Sequence, residues 1–202
     1  AGQYSGAEWT NCTTCVAGRA DLDSDPATVC DGCAEGHYAA AGVTACAPCA
    51  AGEYDEDSDA STPCVSCDVG YFSPQTSVSC TVCPPGFHDD DQDPATPCDN
   101  DEAECGAGHD SGAGSHSCDI CVAGLADLDG DSATPCEPCS AGTYSATGSI
   151  ACPECPAGTI DHDSDASTPC VSCVAGEVSL AGRTECEACP GGRADDDMNP
   201  AT

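Results

Sequence analysis

The sequence predicts a small disulfide-rich repeat fold: mostly irregular loops with short β-ribbons, joined into an elongated linear array without a central hydrophobic core. Three observations lead there. Twenty-two of 202 residues are cysteine, about the density that marks a disulfide scaffold. The cysteines recur as C-x2-C doublets at fixed spacing. Leu, Ile, Val and Phe together number only 20, beside one Trp and five Tyr, too little to build the core that a chain of this length normally buries. With a formal net charge of −33, that composition alone would read as disorder. Crosslinks take the place of the core, each contributing roughly 2–4 kcal/mol, and such bonds persist in an oxidising, extracellular compartment.

Two loop types alternate. From Cys15, Cys49, Cys83, Cys121 and Cys155 the next cysteine follows after fourteen residues, at Cys30, Cys64, Cys98, Cys136 and Cys170. From Cys33, Cys67, Cys105, Cys139 and Cys173 it follows after twelve, at Cys46, Cys80, Cys118, Cys152 and Cys186. The full unit is therefore 34 residues, a period typical of linear arrays. The chain has no apolar stripe of 3.6-residue period, which excludes a helical repeat. Residues 1–14 end a truncated short loop, and five repeats follow at 15–48, 49–82, 83–120, 121–154 and 155–188. Residues 189–202 begin a truncated sixth. This register predicts a window from a longer tandem array. The third repeat carries an acidic insertion at 99–104, expected to act as a hinge or bend.

Glycine stands three residues after the second cysteine of every complete doublet, at 18, 36, 52, 70, 86, 108, 124, 142, 158, 176 and 192. Such constancy predicts a positive φ or a close approach of backbone at each bead. Two residues on, short loops carry an aromatic or apolar residue (Tyr4, Tyr38, Phe72, Tyr144, Val178), mostly followed by Ser, suited to a short ribbon packed on a bridge. Two pairings satisfy the spacing: a serial one (Cys15–Cys30, Cys33–Cys46, Cys49–Cys64 and onward) and a crossed one (Cys12–Cys30 with Cys15–Cys33). The insertion favours the serial scheme, in which the residues within a doublet are only a linker and can stretch. That scheme leaves Cys12 and Cys189 without partners in the chain.

Every long loop carries side-chain oxygens at alternate positions, all carboxylates except the amide of Asn199: Asp21, Asp23, Asp25; Asp55, Asp57, Asp59; Asp89, Asp91, Asp93; Asp127, Asp129, Asp131; Asp161, Asp163, Asp165; and Asp195, Asp197, Asn199. Alternating oxygen ligands on a turning backbone are how calcium loops are built, so calcium is the expected ion. The match to an EF-hand is partial, because the sixth position holds Pro26, Ala60, Pro94, Ser132, Ala166 or Pro200 where that loop needs glycine, and no bidentate Glu follows. The plain alternative is a solvated acidic turn whose aspartates cap their own backbone. Thr28, Thr62, Thr96, Thr134, Thr168 and Thr202 recur near the loop ends, four of them before proline. They are candidates for O-linked sugar or hydroxyls bonded within the turn, and Asn11-Cys12-Thr13 is formally an N-glycosylation sequon.

Other chemistries fare worse. Zn(Cys)4 centres would each add a net −2 to a chain with three arginines and no lysine. The five histidines occupy different repeat positions and none sits beside a nucleophile with a third orienting group, so no catalytic residue is assigned and the chain is not expected to be an enzyme. With only Arg19, Arg183 and Arg193 as cations, nothing could neutralise a nucleic-acid backbone or an anionic membrane surface. No apolar run is long enough to insert in a membrane. Cations and basic surfaces are the natural counterparts.

The short loop Cys139-Ser-Ala-Gly142-Thr-Tyr144-Ser-Ala-Thr-Gly148-Ser-Ile-Ala-Cys152-Pro-Glu-Cys155 resembles the ephrin-receptor-like GCC2/GCC3 cysteine-rich repeat, related in style to TNF-receptor modules. The likeness covers essentially the whole chain. The interposed loop DSDASTPCVSC is similar to repeats of very large extracellular proteins of algae and other protists, including mastigoneme-type flagellar hairs. The resemblance implies an extracellular structural protein: a disulfide-stapled rod, calcium-stiffened and glycosylated, that self-associates to form or decorate a filament. The alternative is the stalk or ligand-binding ectodomain of a cell-surface receptor or adhesin.

Overall fold

The computed structural model describes residues 2–6, 11–98 and 104–189. The fold is an array of small disulfide-rich loops without helices among these residues. Ten disulfides pair the cysteines serially, from Cys15–Cys30 to Cys173–Cys186. Cys12 and Cys189 are free. Two compact units divide the chain, Ala1–Pro84 with His88–Ala103 and Ala113–His116, and Pro85–Phe87 with Glu104–Gly112 and Ser117–Thr202.

Each loop opens with a turn at its glycine and then forms one strand of a two-residue antiparallel ribbon. The first unit holds five ribbons: β1 (Gln3–Tyr4) with β2 (Thr13–Thr14), β3 (Arg19–Ala20) with β4 (Asp31–Gly32), β5 (His37–Tyr38) with β6 (Ala47–Pro48), β7 (Glu53–Tyr54) with β8 (Val65–Ser66), and β9 (Tyr71–Phe72) with β10 (Thr81–Val82). The second holds four: β11 (His109–Asp110) with β12 (Asp119–Ile120), β13 (Leu125–Ala126) with β14 (Glu137–Pro138), β15 (Thr159–Ile160) with β16 (Val171–Ser172), and β17 (Glu177–Val178) with β18 (Glu187–Ala188). Phe87 with Glu104 and Thr143 with Glu154 complete the pattern as single antiparallel bridges.

The second strand of every ribbon is the pair of residues inside a C-x2-C doublet, which corrects the expectation that the doublet is a free linker. The N–H of the doublet's second cysteine reaches back to the preceding loop's glycine carbonyl, as in Cys33 to Gly18 at 3.0 Å and Cys49 to Gly36 at 2.8 Å. Ribbon, disulfide and this bond close each loop at the same place. Glu104 takes the strand position beside Phe87 despite the insertion. The rest of the expected hinge, residues 99–103, lies outside the described residues.

What is buried is small. The cysteines that open the long loops are at most 1% exposed, and they are joined inside by Ala20, Ala39, Ala126, Ser73 and Ser145. The aromatics expected to pack on bridges, Tyr4, Tyr38, Phe72 and Tyr144, are half-buried, and Val178 likewise. Many aliphatic side chains, Val16, Val29 and Leu180 among them, are exposed. Disulfide sulfur and methyl groups thus supply the packed interior that long side chains supply elsewhere.

Loops also stack on the next loop of their own type. At Gly36, φ is +74°, and a Cβ would lie 2.2 Å from the Thr76 carbonyl oxygen, 40 residues on. Only a residue without a side chain admits that approach. The long loops stack with more room: a Cβ on Gly18 would stand 3.2 Å from the Ser61 backbone nitrogen.

Candidate functional site

The acidic run of each long loop divides into aspartates with different employments. The first, at 21, 55, 89, 127 and 161, is only 3–6% exposed. Its Oδ2 accepts the N–H of the turn glycine of the preceding short loop, Gly2, Gly36, Gly70, Gly108 and Gly142 respectively, at 2.9–3.1 Å. Its own N–H donates to a carbonyl of the following short loop, at Val43, Ser77, Ser115, Ser149 and Arg183, at 3.0–3.2 Å. One buried carboxylate residue therefore ties three successive loops. A glycine N–H buried there without an acceptor would cost about 1–3 kcal/mol.

The serine of the short loops is the counterpart of this aspartate. Both stand six residues after the doublet's second cysteine. Ser73, Ser111, Ser145 and Ser179 are buried, and their hydroxyls donate to Glu53, Phe87, Leu125 and Thr159 carbonyls of the preceding long loop at 2.9–3.0 Å. Their carbonyls accept the N–H of Gly52, Gly86, Gly124 and Gly158 at 2.8–3.1 Å. The sequence carried this signal, since aligning loops of unequal length on the doublet superposes Asp on Ser. Grouping the aspartates by their alternation conceals it.

The second and third aspartates form the exposed turn. Oδ1 of the second accepts the N–H two residues on, as from Asp25 to Asp23 at 2.9 Å and from Asp93 to Asp91 at 2.9 Å. The third repeats the motif, accepting from Ala27, Ser61, Ala95, Ala133 and Ser167. The threonine hydroxyl donates to the second aspartate at 2.8–3.0 Å in all five described loops. These are consecutive Asx turns, and they hold the intervening residue left-handed, at Ser24 (φ +55°), Ser58 (+55°), Gln92 (+55°), Gly130 (+71°) and Ser164 (+58°).

Donors crowding a carboxylate favour its charged form. Asp23, Asp91 and Asp129 are held below the ordinary carboxylate value first by the N–H of Asp25, Asp93 and Asp131 and then by the threonine hydroxyl. The Ser61 N–H does the same to Asp59, and the Ser167 hydroxyl, then its N–H, to Asp165. At Asp163 desolvation acts in the opposite direction and is outweighed by Thr168 and the Asp165 N–H.

For a cation, the arrangement divides the expected ligand set. In none of the five described runs do the three carboxylates bring an oxygen each within 4.8 Å of one another. The first is turned inward to a glycine N–H, and the exposed pair that remains is Asp23 with Asp25 and its equivalents. Thr28, Thr62 and Thr134 are exposed, and Thr96 and Thr168 half-buried, each with its hydroxyl already a donor. Asn11 is exposed. The sixth run (Asp195, Asp197, Asn199), Thr202 and Gly192 lie outside the described residues. Among the described residues no helix is long and apolar enough to cross a membrane, and every buried side-chain nitrogen or oxygen has a hydrogen-bond partner. Comparison of the chain with protein-family models and with curated proteins finds no match.

Proposed function

We propose that this chain is a structural segment of an extracellular cysteine-rich protein, an array that forms or decorates a filament, with calcium held weakly by the exposed aspartate pairs and sugar carried on the loop threonines. The observation that carries the reading is the bracing of one loop by the next: six residues into the loop, a buried Asp in the five described long loops and a buried Ser in four short loops bond to neighbouring loops, and at most of the turn glycines the loop comes against the next of its kind. A chain whose buried Asp and Ser side chains, among the described residues, all serve loop-to-loop bonds is suited to bear load. The disulfides require an oxidising compartment, and the likeness of the short loop to GCC2/GCC3 repeats points the same way.

The test is electron microscopy of native, non-reduced material with and without a calcium chelator. Regular fibres whose stiffness or repeat changes on chelation are expected. Isolated strands indifferent to chelator would refute both polymerisation and the calcium role and leave a receptor stalk as the better reading.

A further inference from the structure

We infer that the first unit carries a binding groove for the basic side chains of a partner protein, built from Tyr54, Tyr71, Glu56 and Asp68. These four line a groove of about 440 Å³, within the range of small-ligand pockets, ~300–1,000 Å³. Val65, the cross-strand partner of Tyr54, lines it too. Tyr54 is fixed by pairing with Val65 on one side and Ser77 on the other. Tyr71 closes the turn that starts at Asp68, its N–H donating to the Asp68 carbonyl at 3.1 Å, and remains 40% exposed. Glu56 and Asp68 are both exposed.

The repeats provide an internal comparison. Position 54 is Ala20, His88, Ala126 or Ile160 in the other long loops, and position 71 is His37, His109, Thr143 or Glu177 in the other short loops. Ala20 and Ala126 are fully buried in sound ribbons, so the fold does not require an aromatic ring there. Glu56 likewise stands where two other loops have Leu22 and Leu128. Two tyrosines and two acids meet in this one repeat for a reason other than stability.

Charge selects the occupant. Tyrosine faces attract organic cations, the two carboxylates supply counter-charge, and a chain at −33 draws basic surfaces and repels acidic ones. Arginine fits best, because its planar guanidinium stacks on aromatic rings while hydrogen-bonding carboxylate. The inference stands independently of whether the array polymerises.

The test is an NMR titration of the full chain at 150 mM salt, using an end-blocked Gly-Arg-Gly-Arg-Gly peptide and its neutral citrulline analogue. The arginine peptide is expected to shift the Tyr54 and Tyr71 ring resonances saturably and the citrulline peptide to leave them unmoved. The double variant Tyr54→Ala, Tyr71→Thr keeps the charge and borrows residues already tolerated at equivalent positions. It should bind the peptide about five- to thirtyfold more weakly, at roughly 0.5–1 kcal/mol for each of the two rings. Glu56→Gln with Asp68→Asn should also weaken binding while leaving the rings in place. Equal affinity in the tyrosine variant, ring shifts of equal size with citrulline or with a neutral disaccharide, or no shift at all would overturn the assignment.

Discussion

Thr76 holds a left-handed φ of +66° where the other short loops have Gly42, Gly114, Gly148 and Gly182. A β-branched residue is strained there by about 1–2 kcal/mol. Thr76→Gly should therefore stabilise the chain by roughly 1 kcal/mol in denaturant unfolding of the oxidised protein, and a loss of stability would disprove the strain. Gly36→Ala tests the opposite case. Its Cβ would meet the Thr76 carbonyl oxygen at 2.2 Å, so the cost should exceed about 3 kcal/mol. Gly130→Ala, at φ +71° with nothing within 4 Å, should cost only about 1 kcal/mol. Asp55→Ala orphans the buried Gly36 N–H and should cost about 1–3 kcal/mol, whereas alanine at exposed Asp57 should cost less than half as much.

At the scale of the loop, the acidic turn is a pH-sensitive element of known sign. Asp23, Asp91 and Asp129 have folded values below the ordinary one. Their contribution is therefore complete above the unfolded value, about 3.9, and is lost as pH falls through the lower folded value. Amide shifts of Asp25 and Asp93 should hold from neutrality to about pH 4 and move only below it; a midpoint at or above 3.9 would contradict the Asx-turn geometry. Neither ribbon nor turn would persist alone, since two-residue strands are too short for independent stability. The disulfide and the cysteine N–H to glycine carbonyl bond close the loop, and the ribbon and Asx turns shape it.

At the scale of each unit, interactions reach from a loop to the next and the next but one, so stability is close to a sum of neighbour terms. Replacing Cys67 and Cys80 by serine should cost roughly 2–4 kcal/mol, and hydrogen exchange should rise in that loop and its immediate neighbours. Global unfolding from this one pair would refute the neighbour-by-neighbour picture. Full reduction should abolish order, since no core of large side chains remains to hold it.

Spacing and composition by themselves determined the loop lengths, the alternation, the turn glycines and the absence of a central core, because cysteine and glycine act locally and their positions can be counted. Serial pairing was the better of two readings, and the insertion after Cys98 was its sequence evidence. What only the tertiary structure decided is which loop each polar group serves. Asp21 and Asp23 look alike in sequence, yet one is buried on the Gly2 N–H and the other caps an exposed turn. Likewise Thr13–Thr14 and its equivalents look like spacers and are strands. The buried aspartate's partner lies 19 residues away and the strand partners 9 to 13, separations at which residue type indicates that a bond is needed but not where it is made.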